Sequence, residues 1–179
     1  IFKRIVEAVR SNGCEGAVQG IPLSYIVYSN LIWLVSYTTY IIYTSINLVL
    51  IDSSSTFARA CIFFHICYIA VFILIKKFHI NFGRHLLLIT TYFSVAVFDH
   101  LNGPGLYTYL FLFAFLPAAL NIFHIKRHLG AICMYMLFPL IYVFISQFYS
   151  YAYFNSPLLN VKEQVLFKVI ILIIAFIHF

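Results

Sequence analysis

The sequence predicts an all-α integral membrane bundle of about six transmembrane helices, preceded by an amphipathic interfacial helix. Three observations support this fold class. Hydrophobic residues make up 64% of the chain and charged residues only 9%, whereas a soluble domain carries about a quarter charged residues. The apolar runs are long enough to cross a bilayer, and most basic residues lie between or before them. This much apolar surface requires lipid as its solvent.

Residues 1–22 are predicted to form a cytoplasmic amphipathic helix followed by a linker. Ile5 and Val9 share one helical face, while Lys3 and Glu7 share the other. This pattern is typical of a helix that lies on a membrane surface. A frayed soluble extension is the alternative interpretation.

Residues 23–179 are predicted to form the transmembrane domain. Its apolar runs show no period-two alternation, which favours helices over the strands of a membrane barrel. The connections are short, so we expect neighbouring helices to be antiparallel. The predicted spans are about 23–50, 57–75, 86–101, 106–123, 129–149 and 162–179. Pro117 and Pro139 fall within the fourth and fifth spans, where each is expected to kink its helix.

The basic residues predict the orientation of the chain. Most of them precede the first span or lie in the loops after the second and fourth spans: Lys3, Arg4, Arg10, Lys76, Lys77, Arg84, Lys126 and Arg127. The positive-inside rule places these segments in the cytoplasm. We therefore expect a multi-pass protein of the cell's inner (plasma) membrane with cytoplasmic N- and C-termini. The same rule explains the net charge of +6 without a nucleic-acid partner.

Sequence signatures of catalysis are absent. The chain has no GxSxG, HExxH, P-loop or Gly-rich dinucleotide motif, and its few acidic residues are scattered. We expect no catalytic site and no cofactor within these residues. No CxxC pair is present, so we expect neither a disulfide nor a thiolate metal site from Cys14, Cys61, Cys67 and Cys133.

His124 and His128 have the i, i+4 spacing of a helical metal site. No third ligand is evident, so polar anchoring at the level of the lipid headgroups is the favoured interpretation, and we predict no metal.

Candidate ligand-binding residues concentrate on the predicted outer face or lie inside a span. They are Asp99, His100, Arg59, Tyr107, Tyr109, Lys168 and His65. Aromatic and polar side chains together can line a pocket that opens outward. An interfacial aromatic belt is the alternative explanation for most of the tyrosines.

Two of these candidates have further alternatives. His65, inside the second span, is suited to haem ligation or proton relay, or to a simple hydrogen bond with a neighbouring helix. Lys168 either extends its ammonium group to the outer surface or pairs with Asp99 or a bound anion.

The order of features resembles the six-helix membrane sensor module of Bacteroidetes signalling proteins. The residues that carry the resemblance are Ile5-Val6-Glu7-Ala8, Asn30 in the first span, Phe82-Gly83-Arg84, Gly105-Leu106-Tyr107-Thr108-Tyr109-Leu110-Phe111 and the basic loop His124 to His128. The outer turn, Asp99 to Gly105, differs from the Arg-Glu-Ser-Gly-like turn of many members.

The resemblance implies a sensor or receptor domain that anchors a cytoplasmic output domain beyond residue 179, either a histidine kinase or a class III adenylate or guanylate cyclase. The expected partners are the lipid bilayer, a second copy in a homodimer, and a small-molecule or lipid-soluble ligand. Alternative functions are a small transporter or channel subunit that uses His65, Lys168 and Asp99, a haem or redox protein, and a passive membrane anchor.

Overall fold

The computed structural model describes residues 2–12, 23–50, 55–77, 80–102 and 109–148. The described residues form helices without a strand, which confirms the all-α class for this part of the chain. The helices are α1 (Phe2–Arg10), α2 (Leu23–Leu50), α3 (Ser55–Lys77), α4 (Ile80–Asn102), α5 (Leu110–Ala114), α6 (Leu116–Ile122) and α7 (Ile125–Phe148). The predicted sixth span lies outside the described residues.

Three of the described helices contain stretches long and apolar enough to cross a membrane: Leu23–Val49, Thr56–Ile75 and Ile125–Ser146. The first two differ from the predicted first and second spans by one residue, and the third overlaps the predicted fifth span, 129–149. Large apolar side chains on them are exposed, such as Ile66 and Met134, the latter to 73%. Such surfaces are compatible with a membrane protein. The number of spans and the orientation of the chain stay predictions.

Helix α4 packs against α2, α3, α5 and α7. It carries buried polar side chains, including Thr90, Thr91 and Ser94. A helix surrounded by protein can satisfy such groups from its neighbours.

Side-chain contacts define two ends of the bundle. At one end, which we call the basic end, lie Tyr25, Arg84, His85, His124 and His128. The other, which we call the Asp99 end, contains Asp99, Tyr109 and Tyr142. Helices α2, α4 and α7 all begin at the basic end, so the helices between them run in the opposite direction.

Aromatic packing and buried hydrogen bonds join α2 to α3. The Trp33 ring lies 4.5 Å from that of Phe72, and the Tyr40 ring lies 5.2 Å from that of Tyr68. The indole nitrogen of Trp33 donates a hydrogen bond to the backbone oxygen of Tyr68 at 2.8 Å. This bond satisfies the one polar group of a buried tryptophan side chain.

Helix α1 is connected to the bundle just after its end. The side-chain amide of Asn12 donates to the backbone oxygen of Phe72 at 3.2 Å, and that of Asn30 donates to the Asn12 backbone oxygen at 2.7 Å. Val9 is buried, while Lys3 and Glu7 are exposed. The placement of α1 on a membrane surface stays a prediction.

The fourth predicted span, about 106–123, differs from a continuous helix. Two short helices, α5 and α6, are separated at Phe115 (φ −92°, ψ 0°). Pro117 lies two residues later, in the first turn of α6. Because proline has no backbone N–H, it cannot continue the hydrogen-bond ladder of α5.

Helix α7 departs from helical angles at His128 (φ −128°, ψ 25°), in the predicted basic loop just before the predicted fifth span. Pro139 also lies within α7, yet the departure from helical angles occurs at the basic end. Helix α4 begins at Ile80, so part of the predicted loop between the second and third spans is helical.

Candidate functional site

A cavity lies between α2, α3, α4 and α5 in the interior of the bundle. Its volume is about 30 Å³, which is room for one or two water-sized groups. The lining residues are hydroxyl-bearing or apolar: Ser36, Thr39, Tyr40, Tyr43, Tyr68, Thr91, Ser94, Val95, Phe98, Phe111 and Phe115. The described lining contains no charged side chain, so the cavity suits a neutral molecule.

The hydroxyl groups around the cavity differ in whether they have a hydrogen-bond partner. The Tyr68 hydroxyl donates to Thr91 Oγ1 at 3.3 Å, and the Ser94 hydroxyl donates to the Thr91 backbone oxygen at 2.8 Å. Ser36 is 2% exposed, and its hydroxyl has no hydrogen-bond partner within the described residues. A buried polar group without a partner costs about 1–3 kcal/mol, so Ser36 is the group that a polar ligand in the cavity would satisfy.

A second feature of the site is the buried carboxylate of Asp99, which is 3% exposed. Its Oδ1 accepts a hydrogen bond from the backbone N–H of Tyr109 at 3.0 Å. Its Oδ2 accepts one from the Tyr142 hydroxyl at 3.0 Å. We call these three groups the Asp99 junction, because they join the end of α4 to the start of α5 and to α7.

The Asp99 junction borders the cavity. Phe98, the residue before the carboxylate, lines the cavity and packs against Tyr43 with ring centroids 5.9 Å apart. Phe111 lines the cavity two residues after Tyr109 and lies 6.0 Å from the same Tyr43 ring. A molecule that pushes these rings apart therefore acts on the two elements that the carboxylate holds together.

The structure brings together only some of the predicted ligand-binding residues. Asp99 and Tyr109 are in direct contact through the hydrogen bond to Oδ1. His100 on α4 and Arg59 on α3 are exposed, so an outward-facing pocket that includes them and Asp99 stays a prediction. Tyr107 and Lys168 lie outside the described residues.

His65 is exposed on α3, and its Nδ1 lies 2.9 Å from the hydroxyl of Tyr37 on α2. The imidazole therefore contacts a neighbouring helix, which is the simplest of the roles that the sequence suggests. Haem ligation and proton relay by this side chain stay hypotheses.

Thiols and metal-ligating groups give no assembled site within the described ranges. Cys61, Cys67 and Cys133 are free thiols, and Cys14 lies outside those ranges. No cluster of three His, Cys, Asp or Glu side chains forms there either.

Sequence reasoning missed the cavity and the burial of Arg84. Ser36, Thr91 and Ser94 are small hydroxyl residues, which in membrane helices commonly bond between helices, so nothing in their spacing distinguishes a cavity. In the sequence, Arg84 serves as an orientation signal and as part of the resemblance, and neither use predicts its burial. Gly83 beside it is the one local hint of a close helix contact, since a Cβ there would lie 2.7 Å from Ile75 Cγ1.

Comparison of the chain with protein family models, curated proteins and solved structures gives no match.

Proposed function

We propose that this chain is the membrane sensor domain of a signalling protein, and that it anchors and regulates a cytoplasmic histidine kinase or nucleotide cyclase domain. The observation that carries the proposal is the position of the cavity beside the Asp99 junction. The exposed apolar faces of α2, α3 and α7 support a location in a membrane, and the proposal takes this to be the plasma membrane. In this proposal the chain is a homodimer with both termini in the cytoplasm.

A ligand in the cavity would act by changing helix packing. The cavity wall comes from α2, α3, α4 and α5, while the Asp99 junction links α4 and the start of α5 to α7. Occupancy shifts the bundle between two packings only to the extent that the ligand binds one of them more tightly. Allosteric couplings of this kind are typically about 1–3 kcal/mol, which corresponds to about 5–150-fold in an equilibrium.

The chemistry of the wall suggests the class of signal. Aromatic rings and hydroxyls, with the unsatisfied Ser36 hydroxyl among the described groups, suit a small neutral molecule with one polar group. Such a molecule partitions into a bilayer without the cost of moving a charge into hydrocarbon.

The test fills the cavity with a larger side chain in place of a ligand. Ser36→Leu fills the cavity with apolar atoms, and Ser45→Leu makes the same change at an exposed position of the same helix. In the full-length protein with its native output domain, we expect Ser36→Leu to change basal output at least about fivefold. Ser45→Leu should leave the output at the wild-type level.

Two results separate this proposal from its rivals. Equal output of both variants and wild type would identify a passive anchor. Solute flux in proteoliposomes that Ser36→Leu abolishes would identify a transporter or channel. If Ser36→Leu does not fold, Ser36→Val makes a smaller change in the same direction and keeps the test available.

A further inference from the structure

The guanidinium group of Arg84 is buried at the basic end of the bundle. Arg84 is 2% exposed. Its Nη1 donates a weak hydrogen bond to Asn81 Oδ1 at 3.5 Å, while Nε and Nη2 have no hydrogen-bond partner among the described residues. Tyr25 faces the group from α2, with the guanidinium carbon 5.9 Å from the ring centroid.

This arginine is buried without a described carboxylate beside it. Within the described ranges the carboxylates are Glu7, exposed on α1, and Asp99, at the opposite end of α4. Arg84 precedes the predicted span 86–101, and burial lowers its pKa to about 10, so the group stays positively charged at neutral pH. A buried, unpaired cation is strongly unfavourable, and an anion in contact with it removes that cost.

A second unsatisfied nitrogen lies near the same place. The Nδ1 atom of His124 is buried and has no partner in the described part of the chain. The His124 ring lies 6.0 Å from the Tyr25 ring, so Arg84 and His124 approach the same tyrosine. Two nitrogen groups that can donate to one ligand are the arrangement that recognises a phosphate-type oxyanion.

We propose that Arg84 and His124, around the ring of Tyr25, form a binding site for a phosphate-type oxyanion at the basic end of the bundle. The planar guanidinium would bind two oxygens of the anion through Nε and Nη2, and the His124 ring would donate to a third. The anion is either the headgroup phosphate of a phospholipid in the adjacent leaflet or free phosphate. This site is distinct from the cavity at Ser36 and does not depend on a sensor role.

The test uses the purified chain and two probes. Arg84→Gln removes the guanidinium, and Arg127→Gln removes an exposed guanidinium near the same end of the bundle, so both variants change the net charge equally. The first probe is phosphatidylglycerol in mixed bilayers with phosphatidylcholine, with the phospholipid that stays bound after extraction measured by native mass spectrometry. The second probe is inorganic phosphate added to delipidated protein in a neutral detergent, with the melting temperature measured against chloride at equal ionic strength.

We expect Arg84→Gln to lose the binding of one of the two probes, and Arg127→Gln to keep that binding. A fall of about tenfold in retained phospholipid for Arg84→Gln alone would support a headgroup as the ligand. A rise in melting temperature with phosphate in wild type and Arg127→Gln, absent in Arg84→Gln, would support free phosphate. Arg84→Lys, which keeps the charge but loses the planar fork, should bind with intermediate affinity.

Two results would overturn the proposal. One is a wild-type protein that retains no phospholipid and whose melting temperature does not respond to phosphate, a measurement that needs no variant to fold. The other is a double-mutant cycle in which Glu15→Gln and Arg84→Gln are strongly coupled, which would make an internal carboxylate the partner of the arginine. Glu15 lies between α1 and α2, outside the described residues.

Discussion

Helix α4 carries one buried charged residue near each end, and the two differ in how many hydrogen-bond partners they have. At one end both carboxylate oxygens of Asp99 accept a hydrogen bond, from the Tyr109 backbone and from the Tyr142 hydroxyl. At the other end two of the three guanidinium nitrogens of Arg84 have no partner in the described part of the chain. A buried charge with hydrogen-bond partners fixes the packing of its neighbours. A buried charge without them is destabilising, and a ligand of opposite charge relieves that cost.

The largest effect should come from removing the satisfied charge. Asp99→Leu leaves the Tyr109 N–H and the Tyr142 hydroxyl without the carboxylate acceptor, so we expect the free energy of unfolding to fall by about 3 kcal/mol. Asp99→Asn keeps an acceptor for the Tyr109 N–H and should lose less. Denaturation in mixed detergent micelles measures both, and equal stability of all three proteins would contradict the role of the junction.

A smaller loss of stability is expected from a substitution at Gly83, next to Arg84, where α4 packs closely against α3. Gly83→Ala places a Cβ 2.7 Å from Ile75 Cγ1 and 3.2 Å from the Ile75 backbone nitrogen, so the helices must separate. We expect a loss of about 2 kcal/mol in the free energy of unfolding, measured by the same denaturation in mixed micelles.

Gly130→Ala in α7 is the matched control, because nothing lies within 4 Å of a Cβ there. It should be neutral or stabilise the protein by up to about 1 kcal/mol through its higher helix propensity. If Gly83→Ala behaved like this control, the close contact of α3 and α4 would be wrong.

Removing a single hydroxyl group at the Asp99 end should lower the stability of the protein by less than Asp99→Leu or Gly83→Ala does. Tyr142→Phe removes only the hydroxyl, which contacts Asp99 Oδ2 at 3.0 Å and the Ala96 backbone oxygen at 3.1 Å. We expect a loss of about 1 kcal/mol in thermal unfolding in detergent. Tyr28→Phe, at an exposed tyrosine of α2, is the control and should show no change.

The smallest effect, with the opposite sign, is expected from removing the unsatisfied charge. In delipidated protein without added phosphate, Arg84→Met should leave stability unchanged or raise it by up to about 1 kcal/mol. A loss as large as that of Asp99→Leu would mean that the guanidinium is already paired, and the contrast between the two ends would disappear.

Many of the helix bounds can be predicted from the apolar runs and from the turn-forming residues between them. The first predicted span has the bounds of α2, and the second differs from α3 by two residues at each end, because long apolar runs bounded by turn residues leave few alternatives. The break at Phe115 is harder to locate from sequence. Pro117 predicts an irregularity nearby, but the packing of the surrounding helices decides where the chain absorbs it.

The candidate site is less predictable from sequence than the helices are. Asp99 and Tyr109 are functional candidates because aromatic and polar side chains concentrate on the predicted outer face, where together they can line a pocket. Their hydrogen bond depends on where the start of α5 lies relative to the end of α4, which composition does not encode. The burial of Arg84 does not follow from its position, because basic residues at span ends usually indicate orientation alone.

The membrane topology that underlies the proposal can be tested at the two ends of the bundle. In a background with all four cysteines replaced by serine, Asn102→Cys places a thiol at the Asp99 end and Lys126→Cys places one at the basic end. A membrane-impermeant maleimide applied to intact cells should label Asn102→Cys, and should label Lys126→Cys only after permeabilisation. Labelling of Lys126→Cys in intact cells would contradict the cytoplasmic assignment of the basic end.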